Sequence, residues 1–150
     1  MATADQNGGV GPLHLVKLAV GVGDLDDLRR IRAERLAARG WSAIYTRNQP
    51  RRSAAVLAGG SIYWVIKGRI RVRQRVTGFR RERDESGRRF CLIEVDPVLV
   101  PTLPRPFRAF QGWRYLPPAD APADIPSEAA GDFAAMPEAM LRELRALGLI

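Results

Sequence analysis

Leu13 to Val22 reads Leu-His-Leu-Val-Lys-Leu-Ala-Val-Gly-Val, with apolar residues on both parities. A strand covered on both faces has this pattern, so a central β-strand is predicted. The period then changes. From Leu25 to Arg39 apolar residues recur at helical spacing, with Asp24 placed to cap the N-terminus and Gly40 suited to the C-terminus. Asp26 and Asp27 add negative charge to the first turn, where the helix dipole favours it. Leu25, Leu28, Ile31 and Leu36 make one apolar arc, and Arg32 and Arg35 fall inside it. Two readings stand. Their stems cover apolar surface while the heads reach water, or one guanidinium lines a polar cleft at the edge of the sheet.

Trp41–Arg47 predicts a short strand, broken by Asn48-Gln49-Pro50, and Ser53 opens a short helix through Leu57. Ser61–Lys67 fits a strand or a last helical turn. From Lys67 to Arg75 basic and non-basic residues alternate, which is the period of a strand. On that parity Trp64, Ile66, Ile70, Val72 and Val76 face a core. Lys67, Arg69, Arg71, Arg73 and Arg75 then form a cationic row on the opposite face. The strand continues to about Phe79, residues 82–87 turn, and Arg88–Val95 returns as a hairpin partner. Pro101, Pro104 and Pro106 mark a non-helical segment that wraps the sheet. Phe107–Leu116 predicts a strand with Gly112 at a bulge, and residues 117–126 a linker. A last helix follows at about 138–147, with Pro137 in its first turn and an apolar stripe of Met140, Leu141, Leu144 and Leu147. Residues 1–12 read as a disordered arm. Residues 13–150 read as a single α+β domain, a curved and mostly antiparallel sheet packed by the helix at 25–39 and the C-terminal helix.

Charge sharpens this picture. Residues 67–89 hold one Lys and nine Arg against Glu82, Asp84 and Glu85, a net +7 of the chain's +8. With a pI near 10.9, the expected partner is an anionic polymer, RNA first. Only Lys17 and Lys67 are lysines, and the arginine fork suits phosphate and stacks on bases. Cys91 is the only cysteine. That excludes an intramolecular disulfide and a Cys-based zinc site, no disulfide-linked partner is expected, and a reducing cytoplasm is the natural compartment. Met1–Gly11 has no apolar stretch to serve as a signal or anchor, and no run approaches the ~18 apolar residues a membrane span needs. His14, the only histidine, lies in an apolar strand and pairs with no nucleophile readable from the sequence. No metal cluster is visible, no cofactor is expected, and no catalytic residue is assigned. Gly21-Val-Gly23 lacks the third glycine of a dinucleotide loop and runs into Asp24, Asp26 and Asp27, which repel a pyrophosphate.

The run Gly59-Gly-Ser-Ile-Tyr-Trp-Val-Ile-Lys-Gly68, the Arg73-Gln74 pair and Phe110-Gln-Gly-Trp-Arg-Tyr-Leu116 together resemble a family of small basic proteins of unknown function found chiefly in alphaproteobacteria. That resemblance implies no activity. A second one is to the ASCH domains, PUA-like β-barrels in which a short helix leads to a Gly-Lys-Lys-Thr-x-Glu-x-Arg strand. Ile66-Lys-Gly-Arg-Ile-Arg-Val-Arg73 is similar to it, with Gly68, Arg69 and Arg73 at the Gly, first Lys and final Arg. Ile70 replaces the second Lys, and Arg71 stands near the acidic position. This resemblance implies a PUA-like barrel and contact with RNA or a nucleotide.

The first functional expectation is a non-catalytic RNA-binding module. Lys67, Arg69, Arg71, Arg73 and Arg75 would contact phosphates, and Tyr63 would stack on a base. The second is an enzyme acting on a nucleotide or modified base, with a pocket built from Lys67, Arg73, Gln74, Gln111 and Arg114. The third is an interaction module for an acidic protein.

Overall fold

A computed structural model describes residues 11–108 and 110–125 of the chain. The order is β1 (His14–Leu18), α1 (Leu25–Arg39), β2 (Ala43–Thr46), α2 (Ser53–Leu57), β3 (Ser61–Ile66), β4 (Arg69–Arg83), β5 (Arg89–Val95), β6 (Val100–Pro106) and β7 (Trp113–Leu116). The expected C-terminal helix and nearly all of the N-terminal arm lie outside the described residues.

Seven strands form one mixed sheet in the order β2-β5-β4-β3-β1-β7, with β6 also paired to β4. Only β1 and β3 run parallel. β4 organises the sheet. Its first half pairs with β3 and β6, and its second half pairs with β5. The sheet curves but does not close, because β2 and β7 remain its two ends. The fold is thus a single α+β domain, with an open sheet in place of a barrel.

Both faces of the sheet are covered, which is why all six residues of β3 are buried. The larger cluster joins Leu15, Ile62, Trp64 and Val72 to Leu25 and Leu28 of α1 and Val56 of α2. The smaller one joins Val16, Tyr63, Val65 and Ile70 to Leu116, with Phe107 and Phe110 against it. Each large aliphatic side chain buried in full contributes about 1.5–3 kcal/mol. α1 is capped as its sequence predicts. Asp24 Oδ1 accepts from the Asp27 N–H at 2.8 Å, and Gly40 adopts φ 81° while its N–H donates to Leu36 O.

The strict alternation of β4 fails twice: at Thr77, since Val76 pairs with Val95 but Gly78 pairs with Glu94, and within the basic run. Trp64 pairs with Val72 but Val65 pairs with Ile70, so Arg71 is an extra residue, a β-bulge. The bulge switches faces. Val72 packs in the larger cluster with Trp64, and Ile70 packs in the smaller one. Ile70, Val72 and Val76 are all buried as expected, but they do not share a face.

The proline-marked segment is non-helical, as expected, and its residues 100–106 form strand β6. Of its two edges, β6 gives one to β4. A proline without an N–H is tolerated on such an edge strand. β7 begins at Trp113, after Gly112 at φ 74°, instead of at Phe107.

Candidate nucleic-acid interface

The bulge dissolves the expected cationic row. Lys67 is exposed in the β3–β4 turn, Arg75 is exposed, and Arg69 and Arg71 are buried. Arg73 is committed to the fold. Its Nε and Nη2 donate to the two carboxylate oxygens of Asp124 at 2.8 and 2.7 Å, and its Nη1 donates to Ser61 Oγ. Tyr63 is 4% exposed, with the edge of its ring set against His14, so no base can stack on it.

The expected small-ligand pocket does not assemble either. Gln74 is fully buried, accepting from Trp64 Nε1 at 3.0 Å and donating to Asp96 O. Arg114 lies over the Phe110 ring at 4.8 Å, beside the smaller cluster. Gln111 lies elsewhere, on the cleft between the sheet ends.

That cleft is where the topology gathers free cations. β2 and β7 are not hydrogen-bonded to each other, and two open cavities of about 650 and 460 Å³ run between them. They share Arg47, Asn48 and Trp113, so they form one continuous groove. Arg47, Arg51, Arg81 and Arg89 line it, from the end of β2, the turn before α2, β4 and β5 respectively. All four are exposed. Among the described residues none of them is ion-paired. Two are oriented by neutral partners: Arg81 Nε donates to Gln49 Oε1 at 2.9 Å, and Arg47 Nη1 to Arg89 O.

Aromatic rings form the walls. Trp113 and Tyr115 stand edge to face at 5.1 Å. Tyr115 Oη accepts from the Arg52 N–H, tying β7 to the turn before α2. Across the groove Tyr45, 52% exposed, lies 5.2 Å from Phe90. Among the described residues no Asp, Glu or His lines either cavity. Cys91 does, but it is buried in β5 and burial raises its thiol pKa, which keeps it from acting as a thiolate. The only histidine is in β1, where burial and then Arg73 push its pKa down to about 4 and its Nδ1 accepts from the Ser61 N–H.

Lys17 and Tyr45 carry the groove inward to a third, smaller cavity of about 210 Å³ between α1, β1 and β2, floored by Trp64. Arg32 and Arg35 line it. Of the two readings of that helix face, the cleft applies to Arg32, which is 4% exposed and snorkels nowhere. Its Nη2 donates to Ser42 Oγ at 2.8 Å and Ala43 O at 3.1 Å.

The sequence marked Arg32 and Arg35 by their misfit in an apolar arc. Arg81 and Arg89 belong to the basic stretch 67–89 and to the two arms of the expected hairpin, but nothing in the sequence marks Arg47 and Arg51, which only the curvature of the sheet brings beside them.

The arrangement can hold a flexible anion with planar groups; its lining offers no acid–base pair. Among the described residues no group of His, Cys, Asp and Glu is placed to hold a metal ion, and no helix is long and apolar enough to cross a membrane. An open, curved α+β sheet with a basic aromatic groove at its seam defines the class of protein. Residues 15–150 match a family described as protein of unknown function (DUF1489), and the chain belongs to that family. No curated protein and no solved structure matches it.

Proposed function

We propose that this protein is a non-catalytic module that binds single-stranded nucleic acid, RNA in the first instance, along the groove between β2 and β7. The observation that carries the proposal is a continuous groove lined by four exposed arginines and four aromatic rings, with no carboxylate in its lining and no ion pair to those arginines among the described residues. Phosphates match the guanidinium forks, and bases match the rings. A duplex keeps its base faces stacked inside, away from such walls, so a single strand is the better fit. The ASCH-like hairpin points to the same class of partner, but Gly68, Arg69 and Arg73 are not among the groove's lining residues. The likeness therefore supplies no contact. The single cysteine needs no oxidising compartment, and the cytoplasm is the proposed location.

The test is binding of a fluorescent single-stranded RNA at several salt concentrations. With about four phosphates neutralised, log Kobs should fall against log salt with a slope of roughly −3. Arg47→Ala and Arg89→Ala should each flatten it by about 0.7. Tyr45→Ala should weaken binding by about 1–3 kcal/mol at unchanged slope. No binding at low salt removes the proposal. Equal binding of a polyglutamate chain makes the groove a general polyanion site and favours an acidic protein partner.

A further inference from the structure

The inner cavity is built differently from the groove that leads to it. Arg32 reaches it as a buried cation with no counter-charge: Nε and Nη1 have no hydrogen-bond partner, and no carboxylate among the described residues pairs with it. Its neighbours are neutral: Ser42 Oγ and Ala43 O accept from Nη2, and the Trp64 ring lies 5.9 Å away. Burial, then Arg35 and Arg39, lower its pKa to about 10, so it remains a cation at neutral pH. Lys17 is half-buried beside it, its own pKa lowered by burial, and Arg35 stands at the rim. A buried charge without a partner is strongly unfavourable. Three cations around one small cavity, with no acidic residue among its described lining, leave that cost to be met by a bound anion.

Size and position select the anion. At about 210 Å³ the cavity falls short of the ~300–1,000 Å³ of sites that enclose a whole drug-sized ligand, but it has room for one phosphate and some water. It connects to the rest of the groove only through the part that contains Lys17 and Tyr45. The cavity thus lies at one end of the groove, where a strand lying along it would place its terminus. A terminal phosphate monoester carries close to two charges at neutral pH, with a second pKa near 6; an internal diester carries one. We propose that this cavity binds a terminal phosphate monoester of the strand, held by Lys17 and Arg35 and attracted by the buried charge of Arg32. This rests on the nucleic-acid reading of the groove.

The experiment compares three single-stranded RNAs of one sequence, carrying a 5′-phosphate, a 3′-phosphate or only hydroxyl ends, each with the dye on the other end. A nucleoside monophosphate serves as a fourth probe. One phosphorylated end should bind tighter by about tenfold or more, and the preference should shrink below about pH 6 as the monoester loses a charge. Arg32→Met should abolish the preference. Arg35→Gln, at an exposed position that leaves the Ser42 and Ala43 contacts of Arg32 in place, should reduce it even if Arg32→Met does not fold. Binding of all three strands with no end preference overturns the inference and leaves the groove reading standing. Binding of the monophosphate alone, lost in Arg35→Gln, keeps the cavity as a monoester site and removes the strand. Binding of no probe overturns both, and assigns the neutralisation of Arg32 to the chain's own carboxylates.

Discussion

Acid should destabilise this protein through His14, and the size of the effect follows from its surroundings. His14 is 9% exposed on β1, and its Nδ1 accepts from the Ser61 N–H at 3.0 Å. The ring is therefore neutral, with its proton on Nε2. Burial first and the Arg73 cation second bring its pKa from 6.5 to about 4. Between those values the unfolded chain binds a proton that the folded chain refuses. Stability thus rises with pH across the window and is lost as pH falls from about 6.5 to about 4, below which this contribution levels off. At 1.36 kcal/mol per unit the ceiling is about 3 kcal/mol. The ring is not wholly sealed from water, so solvent screening brings the expected loss to about 1–3 kcal/mol. Urea unfolding at pH steps from about 7 to 4 measures it, for the native chain and for His14→Asn, whose amide oxygen sits at the Nδ1 position and can accept from Ser61 but cannot titrate. The carboxylates common to both chains cancel in the comparison. The variant should lose less stability on acidification, by that 1–3 kcal/mol. Parallel curves for the two proteins would refute the reasoning and place the acid sensitivity elsewhere.

Two further substitutions test the backbone that holds the groove. A Cβ on Gly60 would stand 2.1 Å from Leu13 O and 2.6 Å from Val56 O, contacts with backbone that cannot step aside, so Gly60→Ala should cost at least the upper end of ~1–3 kcal/mol in chemical denaturation. A variant of native stability would mean that α2 and β1 part easily. Lys67 holds φ 49° and Gly68 φ 80° in the two-residue β3–β4 turn, the conformation that favours Asn-Gly. Lys67→Asn should therefore raise stability by up to about 1 kcal/mol, and a loss would show that the lysine side chain supports the fold.

Where the fold was legible, the signal was local. Asp24, the apolar arc and Gly40 define α1 without reference to any other element, and the β-rich run Ser61–Ile66 reads as a strand once both its faces are known to be covered. The errors came from pairing. Nothing in Arg69-Ile-Arg-Val-Arg73 announces that Arg71 is a bulge, because a bulge is a mismatch between two strands and only one of them is being read. The prolines of β6 point away from a helix, but that the segment is a strand rests on its pairing with β4 on one edge and with residues 123–125 on the other. The groove was hidden for the same reason. Arg47 and Arg51 are far in sequence from Arg81 and Arg89, and each taken alone is an ordinary surface cation. Arg32 is the exception, since its place in an apolar arc was anomalous from the start.

This explains why the densest run of positive charge is not the best binding surface. A cation attracts an external anion only to the extent that the protein has not already neutralised or enclosed it. Along the first half of β4 the fold uses its arginines: Arg73 fixes the 123–125 segment through Asp124, which bridges to Thr102 of β6, while Arg69 and Arg71 are buried. On α1, Arg29 and Arg30 pair with Asp26, Asp27 and Glu34. The arginines at the seam have no such partners among the described residues. Their mutual repulsion is tolerable because the sheet stays open there and water screens them. A strand of phosphates entering the groove would replace that screening with direct hydrogen bonds and release its own counterions. The failure of the sheet to close between β2 and β7 is thus the feature that links the topology to the chemistry. A closed barrel of the same composition would have paired these edges and left its charge spread over a convex surface.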